Sequence, residues 1–408
     1  MNLRNLLTLL LASIIIFTIP ACSIKKEIEP EVEVPSQTLI FYLMGTDLNT
    51  HLRNNREAIK AALNYDIQGN SRVLVFHQNG QKKQGDIIEM KFKDGLSQEE
   101  VLETINLPSE MNEDELSNIF SRMMEYAPAD AYSLIIGSHG RGWIPLGAEP
   151  GGSTAIWGGK RIPTHDELWQ REGNPITRYL GDGNTNLENS FNTTTLSKAL
   201  TSTGVKLEYI LFDACFMSNI EALYDLRYNA KYIIGSTCEI MGAGFPYRTI
   251  LPMMLKDNGS SYDLQGICES FYMDYKDDKT YPSGAVALID CSQLDALAKA
   301  MKSVNSAAQK DYNLADIQAY ERQGNHIFFD LGDYVDAMSN DSATKEVFNR
   351  QLEKCIVVKY APTQFYSAFP NSNRGICDLT SFCGISTSAP SVLYRDTYIE
   401  TAWYKATN

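Results

Sequence analysis

The sequence predicts an α/β fold, a mostly parallel sheet flanked by helices, with a smaller α+β part toward the carboxyl end. Three observations predict it. Short apolar runs recur along the chain, among them residues 38–44 (TLIFYLM), 72–77 (RVLVFH) and 209–212 (YILF). Runs of that length and composition suit strands buried on both faces. Between them lie segments with apolar residues at helical spacing, as at Leu116, Ile119, Phe120, Met123 and Met124. Strand then alternates with helix, the pattern of a parallel sheet covered on both faces.

Residues 1–22 read as a secretion signal. Arg4 supplies the positive charge, and residues 6–19 form an apolar core too short for an ordinary membrane span. The segment ends Ile19-Pro20-Ala21-Cys22, which resembles a bacterial lipobox. That resemblance implies lipidation at Cys22 and an exported, outer-membrane lipoprotein facing the periplasm or the cell surface. A plain signal peptide with an incidental cysteine, or a signal anchor, is the alternative. Residues 23–37 are charged and proline-bearing, with few large apolar side chains, as expected of a disordered tether.

The chain of 408 residues is long for one domain and short for three. A net charge of −14 with no basic patch argues against nucleic acid as a partner. No stretch beyond the signal approaches the apolar length of a membrane helix, so contact with a membrane is expected only through the lipid anchor. The eight cysteines include no CxxC pair and no close His/Cys cluster, so no metal or other cofactor is expected. Export permits disulfides, but the spacing leaves their pairing open.

In order, residues 38–44 form a strand, followed by a Gly-Thr-Asp turn and a helix over 54–63. Residues 72–77 form the second strand and 85–92 an edge hairpin. A helix over 113–126 leads into a strand from Tyr132 to His139. Residues 141–192 break the pattern, being rich in Gly, Pro, Asn and charge, and a loop of that length is usually functional. A helix capped by Thr194 precedes the strand that ends at Cys215. Then come a helix over 218–228, a strand over 231–236, helices over 246–255 and 262–275, a strand over 285–289 and a helix from Ser292 to about residue 310. Residues 38–312 make the main domain. Residues 313–408 are a C-terminal subdomain or an elaboration of the same sheet.

The chemistry sits at two strand ends. Residues 132–140 read YSLIIGSHG and residues 209–219 read YILFDACFMSN. Ligands and chemistry gather at the carboxyl ends of parallel strands. Neighbouring strands would therefore bring His139 and Cys215 to one rim, where a thiol facing an imidazole suits covalent acyl transfer. Each residue alone has a plainer explanation, since histidine before glycine is common in turns and free cysteine is often core. The pairing of the two is what points to catalysis. Cys215 would attack as thiolate, its pKa lowered by His139 and by the helix starting near Ser218. His139 would protonate the leaving amine. The oxyanion would be held by the N–H groups of Gly140 and Cys215.

These motifs, with YIIGS and GFPY after it and the early IFYLMGTDLN, resemble the caspase-like clan of cysteine peptidases, most nearly its clostripain family. The resemblance covers residues 38 to about 289. It implies a caspase-like αβα sandwich and an endopeptidase acting after Arg or Lys, with proteins or peptides carrying those residues as substrates. It also implies that Asp213 reads the basic side chain. A carboxylate accepts a guanidinium in bidentate fashion, so Arg would be favoured over Lys. Asp213 as a helix N-cap is the alternative, with Glu239 as the reserve acid for the pocket. One member of the family depends on calcium, but no EF-hand-like loop occurs here. The caspase QACxG signature is absent, which disfavours cleavage after Asp.

The resemblance further implies maturation by cleavage between His139 and Cys215. Lys160 and Arg161, flanked by Gly158-Gly159, are the first candidates there, followed by Arg171 and Arg178. The rival functions are a surface lipoprotein that captures peptides without cleaving them, and a Cys/His amidase or transpeptidase of cell-wall peptide.

Overall fold

Nine strands form the central sheet, in the order β12-β10-β9-β8-β5-β1-β2-β3-β4. The first half of the chain supplies β1 (Gln37–Leu43), α1 (Asn49–Ala62), α2 (Tyr65–Gln68), β2 (Ser71–Gln78), β3 (Gln84–Lys93), β4 (Leu96–Asn106), α3 (Glu113–Tyr126) and β5 (Tyr132–Gly137). A small hairpin, β6 (Ile156–Trp157) with β7 (Lys160–Arg161), and the short α4 (His165–Leu168) follow. Then come α5 (Thr193–Ser202), β8 (Leu207–Asp213), α6 (Ile220–Leu226), β9 (Ala230–Gly235), α7 (Tyr247–Met254), α8 (Leu264–Tyr275), β10 (Val286–Asp290) and α9 (Leu294–Ser306). The last part supplies β11 (Phe329–Asp330), α10 (Leu331–Met338), α11 (Ser342–Cys355), β12 (Ile356–Tyr360), β13 (Gln364–Tyr366), β14 (Ile376–Asp378), β15 (Ser386–Thr387), α12 (Arg395–Tyr398) and α13 (Ala402–Thr407).

The structure, a computed structural model, describes residues 36–45, 47–78, 83–108, 111–151, 156–157, 160–162, 164–169, 176–178, 190–255, 261–307, 311–322, 324–369 and 375–408. The signal segment with Cys22, most of the tether and Arg171 lie outside the described residues.

β2, β1, β5, β8 and β9 run parallel, while β3 and β4 at one edge and β10 and β12 at the other pair antiparallel. The parallel strands are buried on both faces, as their unbroken apolar runs require. Alternation along β1 shows what covers each face. The Gln37 amide donates to Met254 O and Phe41 packs edge-on against Tyr247, so odd residues face α7. The Thr38 hydroxyl donates to Ala127 O and Tyr42 meets Phe120, so even residues face α3. α1, α7 and α8 make one layer, and α3, α5, α6, α13, α9 and α11 make the other.

Two elements on the β1 side of the sheet differ from expectation. α1 starts at Asn49 rather than Asn54, reaching almost to the end of β1. Residues 96–106, which drew no strand assignment, form the edge strand β4. Its acids are held in place by partners: Glu100 pairs with Lys91, and Glu103 with Arg122. A charged, half-exposed edge strand of this kind resists pairing with other chains.

Residues 384–388 brace the segment that follows β8. Ser386 N–H donates to Ser218 O at 2.8 Å, and the Ser218 hydroxyl donates to Gly384 O at 2.6 Å. Glu221, in the first turn of α6, accepts from the Thr387 hydroxyl (2.7 Å) and Ser388 N–H (3.1 Å). Burial pushes its carboxyl up to about 7, against about 4.3 for an unfolded glutamate. The folded chain therefore keeps this proton where the unfolded chain has lost it, and stability falls as pH rises between those values. In urea unfolding at pH 5 and pH 8, the wild type should lose about 2–3 kcal/mol more than Glu221→Gln. An equal loss in both proteins would show that another group titrates.

Candidate active site

Four neighbouring parallel strands end at one rim, and each delivers part of the site. β1 leads to Asp47, β5 to His139, β8 to Asp213 and Cys215, and β9 to the loop from Glu239 to Gly244. In the β5–β8 ladder Gly137 lies opposite Asp213, so His139 and Cys215 each follow the same rung by two residues. The expected juxtaposition of these strands is therefore present.

His139 Nε2 lies 2.6 Å from Asp47 Oδ1, and its Nδ1 is buried with no hydrogen-bond partner among the described residues. A carboxylate in this position fixes the ring orientation and favours a proton on Nε2. Sequence reasoning named no partner for His139. The available signal was the Gly-Thr-Asp turn directly after the first strand, at the same rim.

Cys215 is fully buried, and its Sγ accepts the N–H of Ile240 at 3.1 Å. Burial, helped by the charge of Glu239, pushes the thiol well above its usual range. This reverses the expected lowering. α6 does not begin until Ile220, and its N-cap Asn219 already accepts from Ala222 N–H. Glycine at 140 is required for packing: a Cβ there would lie 2.4 Å from the Cys215 carbonyl.

The site is filled by residues 176–178. Ile176, Thr177 and Arg178 lie antiparallel to Ile240, Met241 and Gly242, with Arg178 N–H on Ile240 O and Gly242 N–H on Ile176 O, both at 2.7 Å. The carbonyl of Arg178 accepts from Gly140 N–H at 2.9 Å and from Cys215 N–H at 3.3 Å. Those two donors are the pair expected of an oxyanion hole.

The Arg178 side chain is fully buried. Its guanidinium meets Asp213 Oδ2 at 3.0 Å and donates to Asn55 Oδ1 at 2.6 Å, Asp213 O at 3.1 Å and Gly242 O at 3.2 Å. The Tyr247 hydroxyl donates to Asp213 Oδ2 at 2.6 Å. Burial raises the Asp213 carboxyl, and Arg178 and Tyr247 work against that. Gly244, at φ +72°, leaves room for the pair, because a Cβ there would lie 2.4 Å from both Arg178 Nη2 and Asp213 Oδ2.

Glu239, the reserve acid, is buried at the same rim but makes no hydrogen bond to the guanidinium. It accepts from Thr177, Ser367 and Ala368. Of the basic residues between His139 and Cys215, the structure brings Arg178 into the site, while Lys160 and Arg161 belong to β7. Among the described residues no group of three or more His, Cys, Asp or Glu is placed to hold a metal ion, and no helix is long and apolar enough to cross a membrane.

A family model described as the clostripain family matches residues 162–407. The chain is similar to a secreted C11 cysteine protease of Bacteroides thetaiotaomicron, iotapain: 32% identity, TM-score 0.77, 92% of this chain and 99% of that one. It is also similar to an inactive zymogen C11 protease of Parabacteroides distasonis, at 25% identity and TM-score 0.72, covering 92% of this chain and 98% of that one. A further C11 protease of B. thetaiotaomicron, solved with an irreversible peptide inhibitor, shares the fold at 23% identity and TM-score 0.71, over 91% of this chain and 99% of that one. No curated protein sequence matches significantly.

The seated segment lies against Cys215, with the Arg178 carbonyl on the Cys215 N–H, and the Arg178 charge itself works against the rise in the thiol pKa, so removing the anchor is expected to act by opening access to the thiol. Arg178→Ala is expected to be alkylated at Cys215 by iodoacetamide at least ~10-fold faster than the intact wild-type chain. Mass spectrometry of the Cys215 peptide measures the rate. Equal rates would mean that the segment does not shield it.

Proposed function

The chain belongs to the clostripain family of cysteine proteases, and we propose that it is an endopeptidase cleaving after Arg in preference to Lys. In this reading Cys215 and His139 form the catalytic dyad, and the protein is held latent until it cuts its own chain after Arg178. One observation carries the proposal: an arginine of the chain itself is seated as a substrate would be. Its main chain pairs with residues 240–242, its carbonyl faces two N–H donors, and its guanidinium lies on a buried carboxylate.

The chemistry follows from the geometry. Cys215 Sγ attacks the Arg178 carbonyl as its proton passes to His139, and the negative charge developing on the oxygen is met by Gly140 N–H and Cys215 N–H. His139, oriented by Asp47, protonates the leaving amine, and water then hydrolyses the thioester. The raised thiol pKa supports a resting state in which attack is infrequent. The description of one relative as an inactive zymogen supports latency as well. The several donors of the guanidinium, shared among Asp213 Oδ2, Asn55 Oδ1 and the Asp213 and Gly242 carbonyls, support arginine over the single ammonium of lysine. A secreted relative supports export, and anchoring through Cys22 rests on the lipobox resemblance.

Wild type and Cys215→Ala, incubated side by side, should differ. Only the wild type is expected to give two fragments, with a new carboxyl end at Arg178. A new end after Lys160 or Arg161 would move the activation site, and a fully active single chain would dismiss self-processing. Separately, Asp213→Asn should lower kcat/KM on Arg peptides by roughly 30-fold to several-thousand-fold, the equivalent of about 2–5 kcal/mol. Unchanged turnover would place the pocket acid elsewhere.

A further inference from the structure

We propose that Glu239 forms a second specificity pocket, selecting a hydroxyl-bearing residue, threonine above all, immediately before the cleaved arginine. The inference rests on the reading of residues 176–178 as a strand bound in substrate register, which makes Thr177 the residue before the cleaved position. The Thr177 side chain is fully buried, and its hydroxyl donates to Glu239 Oε2 at 2.6 Å. The other oxygen, Oε1, accepts from the Ser367 hydroxyl at 2.7 Å and Ala368 N–H at 2.9 Å. Glu239 is thus held by groups from the C-terminal part of the chain and turned so that one oxygen meets the bound strand.

The chemistry of that oxygen sets the preference. A buried carboxylate oxygen without a donor is costly, because no water replaces the lost hydrogen bond. When residues 176–178 leave, Oε2 loses the Thr177 donor, and an incoming peptide restores it only with a hydroxyl at the same place. Valine has the shape of threonine but no donor. Aspartate would set a second carboxylate against the first. Burial already pushes the Glu239 carboxyl up to about 7, so the ionised form depends closely on each donor it has. A site built to hydrogen-bond a hydroxyl discriminates sharply against the analogue lacking it.

The test uses purified protein incubated until processing is complete, assayed at pH 8 so that Glu239 is ionised. Fluorogenic peptides ending in Arg carry Thr, Ser, Val or Asp at the preceding position. The kcat/KM for Thr should exceed that for Val by roughly 10- to 100-fold, with Ser between them and Asp poorest. Glu239→Gln should raise the Asp peptide relative to Thr by about tenfold or more, since an amide N–H can then face the carboxylate. Equal cleavage of the Thr and Val peptides would overturn this inference and leave cleavage after arginine standing. Turnover on Lys or Asn peptides with none on any Arg peptide would overturn both. If Glu239→Gln fails to fold, the wild-type comparison of Thr with Val decides alone.

Discussion

The ion pair between Arg178 and Asp213 is the interaction on which the rim of this molecule depends. Both side chains are fully buried, and taking two charges out of water costs more than their attraction returns unless further hydrogen bonds satisfy them. Those bonds come from everywhere around the pair: Asn55 of α1, the Asp213 and Gly242 carbonyls, and Tyr247 at the start of α7. One guanidinium therefore ties a helix on one face of the sheet to the end of β8 and the loop between β9 and α7. Removing either partner would leave a charge stranded in the interior, a loss of about 3–5 kcal/mol by precedent.

Much of this was legible in the sequence, because strand ends in a parallel sheet are marked by where apolar runs stop. His139 and Cys215 were readable for that reason, and β5 and β8 do lie side by side. What the sequence hid was anything depending on who sits opposite whom. β4 is rich in glutamate, a residue depleted in strands, and it is a strand because β3 offers it a ladder and basic partners. Asp47 looked like a turn residue because its role exists only once β1 and β5 are neighbours. Arg178 ranked behind Lys160 and Arg161 because local glycines mark exposure, whereas the seating of Arg178 is decided by residues from 55 to 247.

The same holds for Glu239, an acid at the same rim whose hydrogen bonds come from Thr177, Ser367 and Ala368. Its neighbours Ser367 and Ala368 lie more than a hundred residues further on. The segment around Ser386 likewise stiffens the turn between Cys215 and α6 from afar. Residues beyond 313, expected as a subdomain or an elaboration of the same sheet, thus bear directly on the geometry of the rim and add β12 to the central sheet. Their strands β13 to β15 are too brief to show a period in the sequence.

The arginine in the site is carried by the same chain as the thiol, so its local concentration is set by the length of connecting backbone and not by the amount of protein. A reaction at its carbonyl is first order, and dilution leaves its rate unchanged. A free peptide meets a tethered competitor that never diffuses away. If the thiol cleaves that bond, the intact protein would act as a clock whose half-time is set within one molecule.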